Sequence, residues 1–220
     1  MIDGTGLALV CSAIALHAYD ASLLLFRDEV VFTHGRRGWQ ATLGSGVTLG
    51  GRYLAMAGAW TPALPVFRGC WSDDATRAAP RAPMPALLRA LRPLQWASRA
   101  LVLLLFVGMP LGLWLHVGHA WMLALVVALY GTAFACVAWI WRRRRVFGLN
   151  RKGFASVAFD VIACPPFAVN VVRKLTLRLG LPRPPGVFAH DVLPPAECAS
   201  LLRDAHARMH PDAIDGEPLP

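Results

Sequence analysis

Two ionisable side chains interrupt the first apolar stretch of the chain, and their types and spacing are the best suited to chemistry. His17 and Asp20 stand three residues apart within Leu7 to Phe26, so a helix would place both on one face. A carboxylate at the centre of a membrane helix costs about 2.5–3.5 kcal/mol, and such residues are usually paired or functional. The pair therefore predicts a proton relay or an acid–base site. The alternative is a hydrated pair near the membrane surface, two turns before Arg27.

Asp160 is the third candidate catalytic residue. It lies in a later apolar stretch, Phe154 to Val172, and would face the same site if that stretch reaches the depth of Asp20. Two carboxylates and a histidine suit metal binding or hydrolysis, but their spacing matches no recognised metal-ligand pattern. The sequence contains no P-loop, dinucleotide fingerprint or nucleophile elbow, and its five scattered cysteines form no Cys-x-x-Cys pair. We therefore expect no metal and no cofactor.

The composition is that of a membrane protein. Of the 220 residues, 56% are hydrophobic and only 16% are charged, whereas soluble domains average about 25% charged residues. The net charge of +9 does not indicate a nucleic-acid partner, because the basic residues border apolar runs instead of forming one solvated face. It favours contact with a lipid bilayer that has anionic headgroups. Arginine far outnumbers lysine, and Ala, Gly, Pro and Leu are abundant, which indicates a bacterial genome rich in GC codons.

The strongest span signal is Ala100 to Trp141, 42 residues without an Asp, Glu, Lys or Arg. One span needs about 20 apolar residues, so this stretch predicts two helices joined by a turn at residues 115–119. Arg99 precedes the stretch and Arg142 to Arg145 follow it, which puts both ends on the cytoplasmic side. The pattern predicts a multi-pass protein of the bacterial inner membrane.

Two weaker apolar segments flank this hairpin. Leu7 to Phe26 predicts an N-terminal span, and the basic loop after it places the N-terminus outside. Phe154 to Val172 has basic residues at both ends and a Pro165-Pro166 step near its centre, which breaks a helix and favours a re-entrant or interfacial segment. A complete fourth span is the alternative, and it would put the C-terminus outside.

The remaining segments predict a small β subdomain and an acidic tail. Glu29 to Trp71 alternates β-branched or aromatic runs with glycine clusters, which is typical of short strands and hairpins. A linker rich in Pro, Ala and Arg follows it, and then an amphipathic helix at residues 86–96. The tail beyond Gly180 carries six acidic residues against three arginines, with a short helix at residues 195–210.

The predicted fold is an all-α integral membrane protein with about three transmembrane helices, one re-entrant or interfacial segment and a small cytoplasmic β subdomain. Its predicted segments are the N-terminal transmembrane helix (1–26), the cytoplasmic loop with the β subdomain and amphipathic helix (27–99), the transmembrane hairpin (100–145), the re-entrant or interfacial segment (146–179) and the cytoplasmic acidic tail (180–220).

Small residues recur at helical spacing on both predicted hairpin helices. The first helix carries Gly108 and Gly112 on either side of Pro110, which predicts a close-approach face with a kink. The second helix carries a continuous row of small side chains, which we call the small-residue stripe: Ala124, Ala128, Gly131, Ala135 and Ala138. Either both faces pack only within this chain, or one of them is left for another subunit.

These features favour a non-enzymatic accessory or scaffold subunit of a larger membrane complex, whose partner is another membrane protein or a second copy of this chain. The alternative is a small membrane enzyme that acts on a lipid or lipid-linked substrate at the cytoplasmic leaflet through His17, Asp20 and Asp160. A component of a proton-coupled transporter is a further alternative. The absence of a catalytic signature favours the scaffold hypothesis.

Overall fold

The protein is mostly helical (61%), with two candidate membrane-spanning helices and a small region of sheet. Its computed structural model describes residues 4–58, 61–72, 82–115 and 118–209. The chain divides into two compact units. We call them the helical unit (Met1–Ala21, Gly58–Pro65 and Pro80–Thr176) and the sheet unit (Ser22–Ala57, Val66–Ala79 and Leu177–Pro220). Most of the predicted linker, the centre of the predicted turn at residues 115–119 and the tail beyond Met209 lie outside the described residues.

The helices from α1 to α7 belong to the helical unit, except that Leu177, the last residue of α7, belongs to the sheet unit. They are α1 (Gly4–Ala21), α2 (Met84–Leu103), a π-helical turn (Leu104–Gly108), α3 (Met109–Trp114), α4 (His119–Arg143), α5 (Arg151–Ala163), α6 (Pro165–Ala168) and α7 (Val171–Leu177).

A long helical hairpin dominates the helical unit. Met84–Trp114 and His119–Arg143, 31 and 25 residues long, are each long and apolar enough to cross a membrane. The first of them starts well before Ala100, because the predicted amphipathic helix continues into the hairpin without a break. Pro93 lies inside this helix. The Trp139 indole donates to the carbonyl of Ala90 over 3.0 Å, which fixes the register of the two helices near one end.

A π-helical turn accommodates the proline at the predicted kink. Pro110 has no N–H to donate to the carbonyl four residues earlier. The helix widens just before it, so that the Met109 N–H reaches the carbonyl of Leu104, five residues back. A π-bulge is a recognised cause of bending in long helices. The helix distortion that the sequence predicts at Pro110 therefore lies in the turn before it.

The N-terminal helix is shorter than the sequence predicts. α1 ends at Ala21, and Leu23–Leu25 form a strand, β1, that pairs with Arg52–Ala55. The prediction that the helix runs to Phe26 is therefore wrong over its last five residues. An apolar run of leucines fits a buried strand as well as a helix, and periodicity does not separate the two. α1 is not among the helices that meet the criteria for a membrane span.

The segment from Phe154 to Val172 is not one continuous helix. α5 ends at Ala163, and Cys164 takes an extended conformation with φ −138° and ψ 98°. α6 then starts on Pro165, where a missing N–H costs nothing because first-turn donors have no helical partner. The Pro-Pro step thus ends the helix as predicted. α6 packs against α1, α2, α4 and α5, so the broken segment folds back onto the hairpin and α1.

The sheet unit holds two three-stranded antiparallel sheets. The first has the order β1 (Leu23–Leu25), β5 (Arg52–Ala55) and β4 (Thr48–Leu49). The second has the order β3 (Gly38–Thr42), β2 (Glu29–Gly35) and β6 (Val66–Cys70). Their strands share a small core of buried side chains, namely Leu25, Val31, Ala55 and Val66. The prediction of short strands in this region is confirmed.

Two helices after Gly180 complete the sheet unit, α8 (Pro185–Val192) and α9 (Pro195–Met209). The Phe188 ring packs edge-on against Phe32 and Trp39, with centroids 5.1 Å apart in both pairs. The described part of the tail is therefore packed through α8 and is not simply solvated. The sequence predicts α9 but misses α8, which begins on a proline at its first position, a common helix start.

Candidate functional site

The structure brings the three candidate catalytic residues together in the helical unit. His17 and Asp20 lie one turn apart on α1; His17 is 9% exposed, and the Asp20 side chain is 15% exposed. Asp160 lies on α5, with a side chain 36% exposed. All three surround two residues that the sequence does not single out, Asn170 and Lys174. We call these five residues the polar cluster.

Asn170 connects the two ionisable residues of α1. Its Nδ2 donates to Asp20 Oδ2 over 2.9 Å and lies 3.4 Å from His17 Nδ1. The carboxylate fixes the orientation of the amide, because a flipped Asn170 would put its own oxygen against that of Asp20. Asn170 is 1% exposed, and its Oδ1 is buried without a hydrogen-bond donor among the described residues.

Lys174 connects the two carboxylates. Its Nζ lies 3.2 Å from Asp20 Oδ1 and 3.8 Å from Asp160 Oδ2, so one ammonium group joins α1 to α5. Asn170 and Lys174 stand four residues apart, with the Lys174 N–H bonded to the Asn170 carbonyl, and therefore share a helical face. The ring of Phe167 lies 4.4 Å from Nζ, which adds a cation–π contact.

The charges of this region nearly balance. Lys174 opposes Asp20 and Asp160, and the 1% exposed Arg173 also interacts electrostatically with Asp20. Groups of three or more His, Cys, Asp or Glu residues suited to a metal are absent from the described part of the chain. In the polar cluster an ammonium group already stands between the two carboxylates, where it repels a cation. The arrangement is that of a mutually paired network.

His17 lies beside the part of the hairpin that is nearer to its turn, away from its basic end. Its ring packs edge-on against Phe106, with centroids 5.4 Å apart. Phe106 stands in the π-helical turn, eight residues before the end of the helix Met84–Trp114. That separation is about 12 Å at 1.5 Å per residue.

The two sets of predicted packing residues lie in different environments. Gly112 is buried in the hairpin, and a Cβ added at Gly108 would lie 3.2 Å from Leu125 Cδ2. These glycines therefore serve packing within the chain. All five residues of the small-residue stripe are exposed, and a Cβ at Gly131 would meet nothing within 4 Å. The buried face of α4 consists instead of Leu125, Leu129, Ala133, Cys136 and Ile140.

Asn170 and Lys174 do not stand out in the sequence, for different reasons. Lys174 reads as one of the basic residues that flank an apolar segment, and Asn170 as a polar interruption within it. Asn170 and Lys174 are four residues apart, and His17 and Asp20 are three apart. Either spacing places a pair on one helical face, and this is the local signal for two facing polar pairs. Comparison with protein-family models, with curated proteins and with solved structures found no match to this chain.

Proposed function

We propose that this protein is a multi-pass protein of the bacterial inner membrane that acts as an accessory or scaffold subunit of a larger complex. In this proposal the hairpin and α1 provide three spans, and α5 to α7 form a re-entrant segment packed against them. The single observation that carries the proposal is the exposure of the small-residue stripe on α4.

The low burial of the hairpin supports a membrane location. Within an apolar stretch of 18 residues, only 17% of Met84–Trp114 and 22% of His119–Arg143 is buried in the structure. The core helix of a soluble protein would be mostly buried. Bulky apolar side chains such as Leu123, Val127 and Phe134 are 56–64% exposed. Contact with acyl chains accounts for such a surface, whereas water does not.

The stripe supports an association role. At 100° per residue it lies roughly 140° around α4 from the buried face, and the bulky exposed residues occupy the remaining sector. Small side chains let a second helix approach closely, and van der Waals packing then drives association where no hydrophobic effect operates between helices. α1 does not cover this face, since its main helical neighbours are α6 and α3.

The paired state of the polar cluster also favours a structural role. The Asp20 carboxylate accepts a hydrogen bond from Asn170 and pairs with Lys174, which links α1 to α7 and the turn before it. Ionisable groups in a low-dielectric region are stable when they are paired in this way. The cluster therefore holds the helical unit together, and the small-residue stripe remains for a partner.

The test compares one bulky substitution on the stripe with the same substitution on the buried face. Ala128→Leu should leave folding intact and abolish association, measured as oligomeric mass or co-purifying subunits in mild detergent. Ala133→Leu, at a site 1% exposed, should instead lower the thermal stability because it overpacks the hairpin. Val127→Leu, on an exposed bulky site, is the neutral control. Unchanged association of Ala128→Leu and Gly131→Leu would contradict the proposal.

A second candidate function is proton transfer, as part of a coupled transporter. One observation favours it: His17, Asn170, Asp20, Lys174 and Asp160 form a continuous chain of polar contacts from the buried His17 to the half-exposed Asp160. In proteoliposomes that contain the full complex, Asp20→Asn should then abolish proton flux while assembly is retained. Flux equal to that of the wild type would exclude this function.

A further inference from the structure

Four consecutive arginines surround a recess at the C-terminal end of α4. The recess has a volume of 1040 Å³ and is lined by Arg142 to Arg145, by Trp139 and Trp141, and by the stripe residues Ala135 and Ala138. Its lining thus combines cationic and apolar side chains. The volume lies just above the range for small-molecule pockets, about 300–1,000 Å³, and exceeds what one free phosphate ion fills.

The four guanidinium groups are not needed to complete the helix end. Backbone N–H groups of the following turn already bond to the carbonyls of Trp141, Arg143 and Arg144, and Gly148 adopts φ +63°, the left-handed conformation that ends many helices. None of the ion pairs within the described residues involves Arg142 to Arg145. The basic end of α4 therefore carries four positive charges without a carboxylate partner in the described chain.

Arg144 is half-buried, whereas the other three arginines are exposed. Its guanidinium lies 4.1 Å from the centroid of the Trp141 ring. Its Nη1 is buried and has no hydrogen-bond acceptor among the described residues. A buried donor without an acceptor is costly, and more so when it is charged. Arg142 is exposed and makes no such contact. The ring of Trp141 thus orients one cationic donor that lacks an anion.

We propose that this recess binds the phosphodiester headgroup of an anionic phospholipid. The planar guanidinium of Arg144 matches phosphate oxygens in geometry and charge, and Trp139 and Trp141 supply apolar lining for the first part of an acyl chain. Basic sites on the cytoplasmic side of membrane helices bind lipid headgroups of this kind. The inference depends on the membrane location of α4 in the proposed function, and not on the scaffold role.

The experiment measures lipid binding to the full-length protein, delipidated in a neutral detergent, by native mass spectrometry. Phosphatidylglycerol should bind saturably, and phosphatidylcholine should bind at least tenfold more weakly. Glycerol phosphate, which has the same headgroup chemistry without acyl chains, should not displace the lipid at equal concentration. Arg144→Gln should weaken phosphatidylglycerol binding at least tenfold. The matched variant Arg142→Gln removes the same charge from an exposed site and should weaken binding less than threefold.

Three results would overturn the proposal. Equal losses in the two glutamine variants would show diffuse attraction by net charge. Equal binding of phosphatidylcholine would show that the anionic headgroup is not recognised. Displacement by glycerol phosphate would show a site for a soluble phosphate. If Arg144→Gln unfolds, the pair Arg144→Lys and Arg142→Lys repeats the comparison at constant charge, with the larger loss again expected at residue 144. Unchanged association of Ala128→Leu, with lipid binding retained, would refute only the scaffold role.

Discussion

The amide of Asn170 donates to the carboxylate of Asp20 over 2.9 Å, and this bond joins two residues that are 150 positions apart in the chain. Lys174, one turn after Asn170, lies 3.2 Å from the other oxygen of the same carboxylate. Asp20 therefore accepts from two side chains of one helical face. Removal of the carboxylate should therefore cost Asn170 a hydrogen-bond acceptor and Lys174 an ion-pair partner.

Asp20→Asn should lower the thermal stability of the full-length protein in detergent, because Lys174 keeps only Asp160 as a counter-charge. Lys174→Met should lower it by a similar amount, since Asp20 then keeps the Asn170 hydrogen bond and the more distant charge of Arg173 but loses its ion pair. Breaking a buried ion pair costs about 3–5 kcal/mol. We expect less, roughly 1–3 kcal/mol, since both side chains retain some exposure. The double variant should be more stable than the sum of the two losses predicts, as coupled residues are non-additive.

The measurement is a double-mutant cycle on the midpoint of thermal unfolding. Asp160→Asn is the matched control: its carboxylate is more exposed and lies 3.8 Å from Nζ instead of 3.2 Å, so its effect should be smaller. Additive losses for Asp20→Asn and Lys174→Met would refute the pairing of Asp20 with Lys174 in solution.

Local patterns in the sequence predict much of the helical unit. The 42 residues without a charge between Ala100 and Trp141 correspond to most of the observed hairpin, and Pro165-Pro166 marks the observed break between α5 and α6. Both signals are local. A charge in an apolar span and a missing N–H in a helix each raise the free energy at the residue that carries them.

The features that the sequence does not reveal depend on distant partners. β1 is a leucine run whose strand pairing comes from Arg52–Ala55, about 30 residues later. Asp20 and Lys174 are visible as single charges, but nothing in their local sequence says that they meet. Candidate residues can therefore be found from their residue type and their position inside an apolar segment. The cluster that they form can be recognised only from the tertiary structure.

The sheet unit should show an acid transition that depends on Asp28. The Cys70 thiol lies 3.0 Å from Asp28 Oδ2, and its hydrogen bond, together with one from the Ser72 hydroxyl, lowers the pKa of Asp28 below its ordinary value. A carboxyl group with a lowered pKa in the folded state contributes stability above its unfolded pKa of about 3.9. That contribution is lost as the pH falls through the lower folded value.

The check compares wild type with Cys70→Ala across pH 6 to 3. The substitution should destabilise the protein at pH 6, and the difference should shrink toward pH 3 as the carboxylate is protonated. Asp28→Asn should remove the pH dependence of the difference. A difference that stays constant over this range would show that the thiol stabilises the unit by packing alone.

Gly69 should be intolerant of any side chain. A Cβ added there would lie 2.6 Å from Leu181 Cδ1 and 2.9 Å from Pro185 Cγ. The Leu181 side chain can rotate away, but Pro185 is the first residue of α8 and its ring is rigid. Gly69→Ala should therefore destabilise the protein by about 1–3 kcal/mol, the usual cost of overpacking. Chemical denaturation measures this loss.

Gly131→Ala is the control for this prediction. Its Cβ would meet nothing within 4 Å, and alanine in place of glycine in a helix gains about 0.5–1 kcal/mol. The two Gly→Ala changes should thus have opposite signs. Equal effects would show that the close approach at Gly69 does not persist in solution.

The last prediction concerns the orientation of the hairpin. Gly118 precedes α4 and is exposed, and Gln40 is an exposed residue of β3. In the proposed orientation the four arginines after α4 lie in the cytoplasm, so Gly118 should face the periplasm and Gln40 the cytoplasm. In a background with the five native cysteines replaced by serine, Gly118→Cys should react with a membrane-impermeant maleimide in intact spheroplasts. Gln40→Cys should react only after lysis, since the bilayer blocks the reagent.

Labelling of Gln40→Cys in intact spheroplasts, with Gly118→Cys protected until lysis, would show that the hairpin has the opposite orientation. Equal labelling of both before lysis would show that the hairpin does not cross a membrane at all, and the proposed location of the protein would then be abandoned.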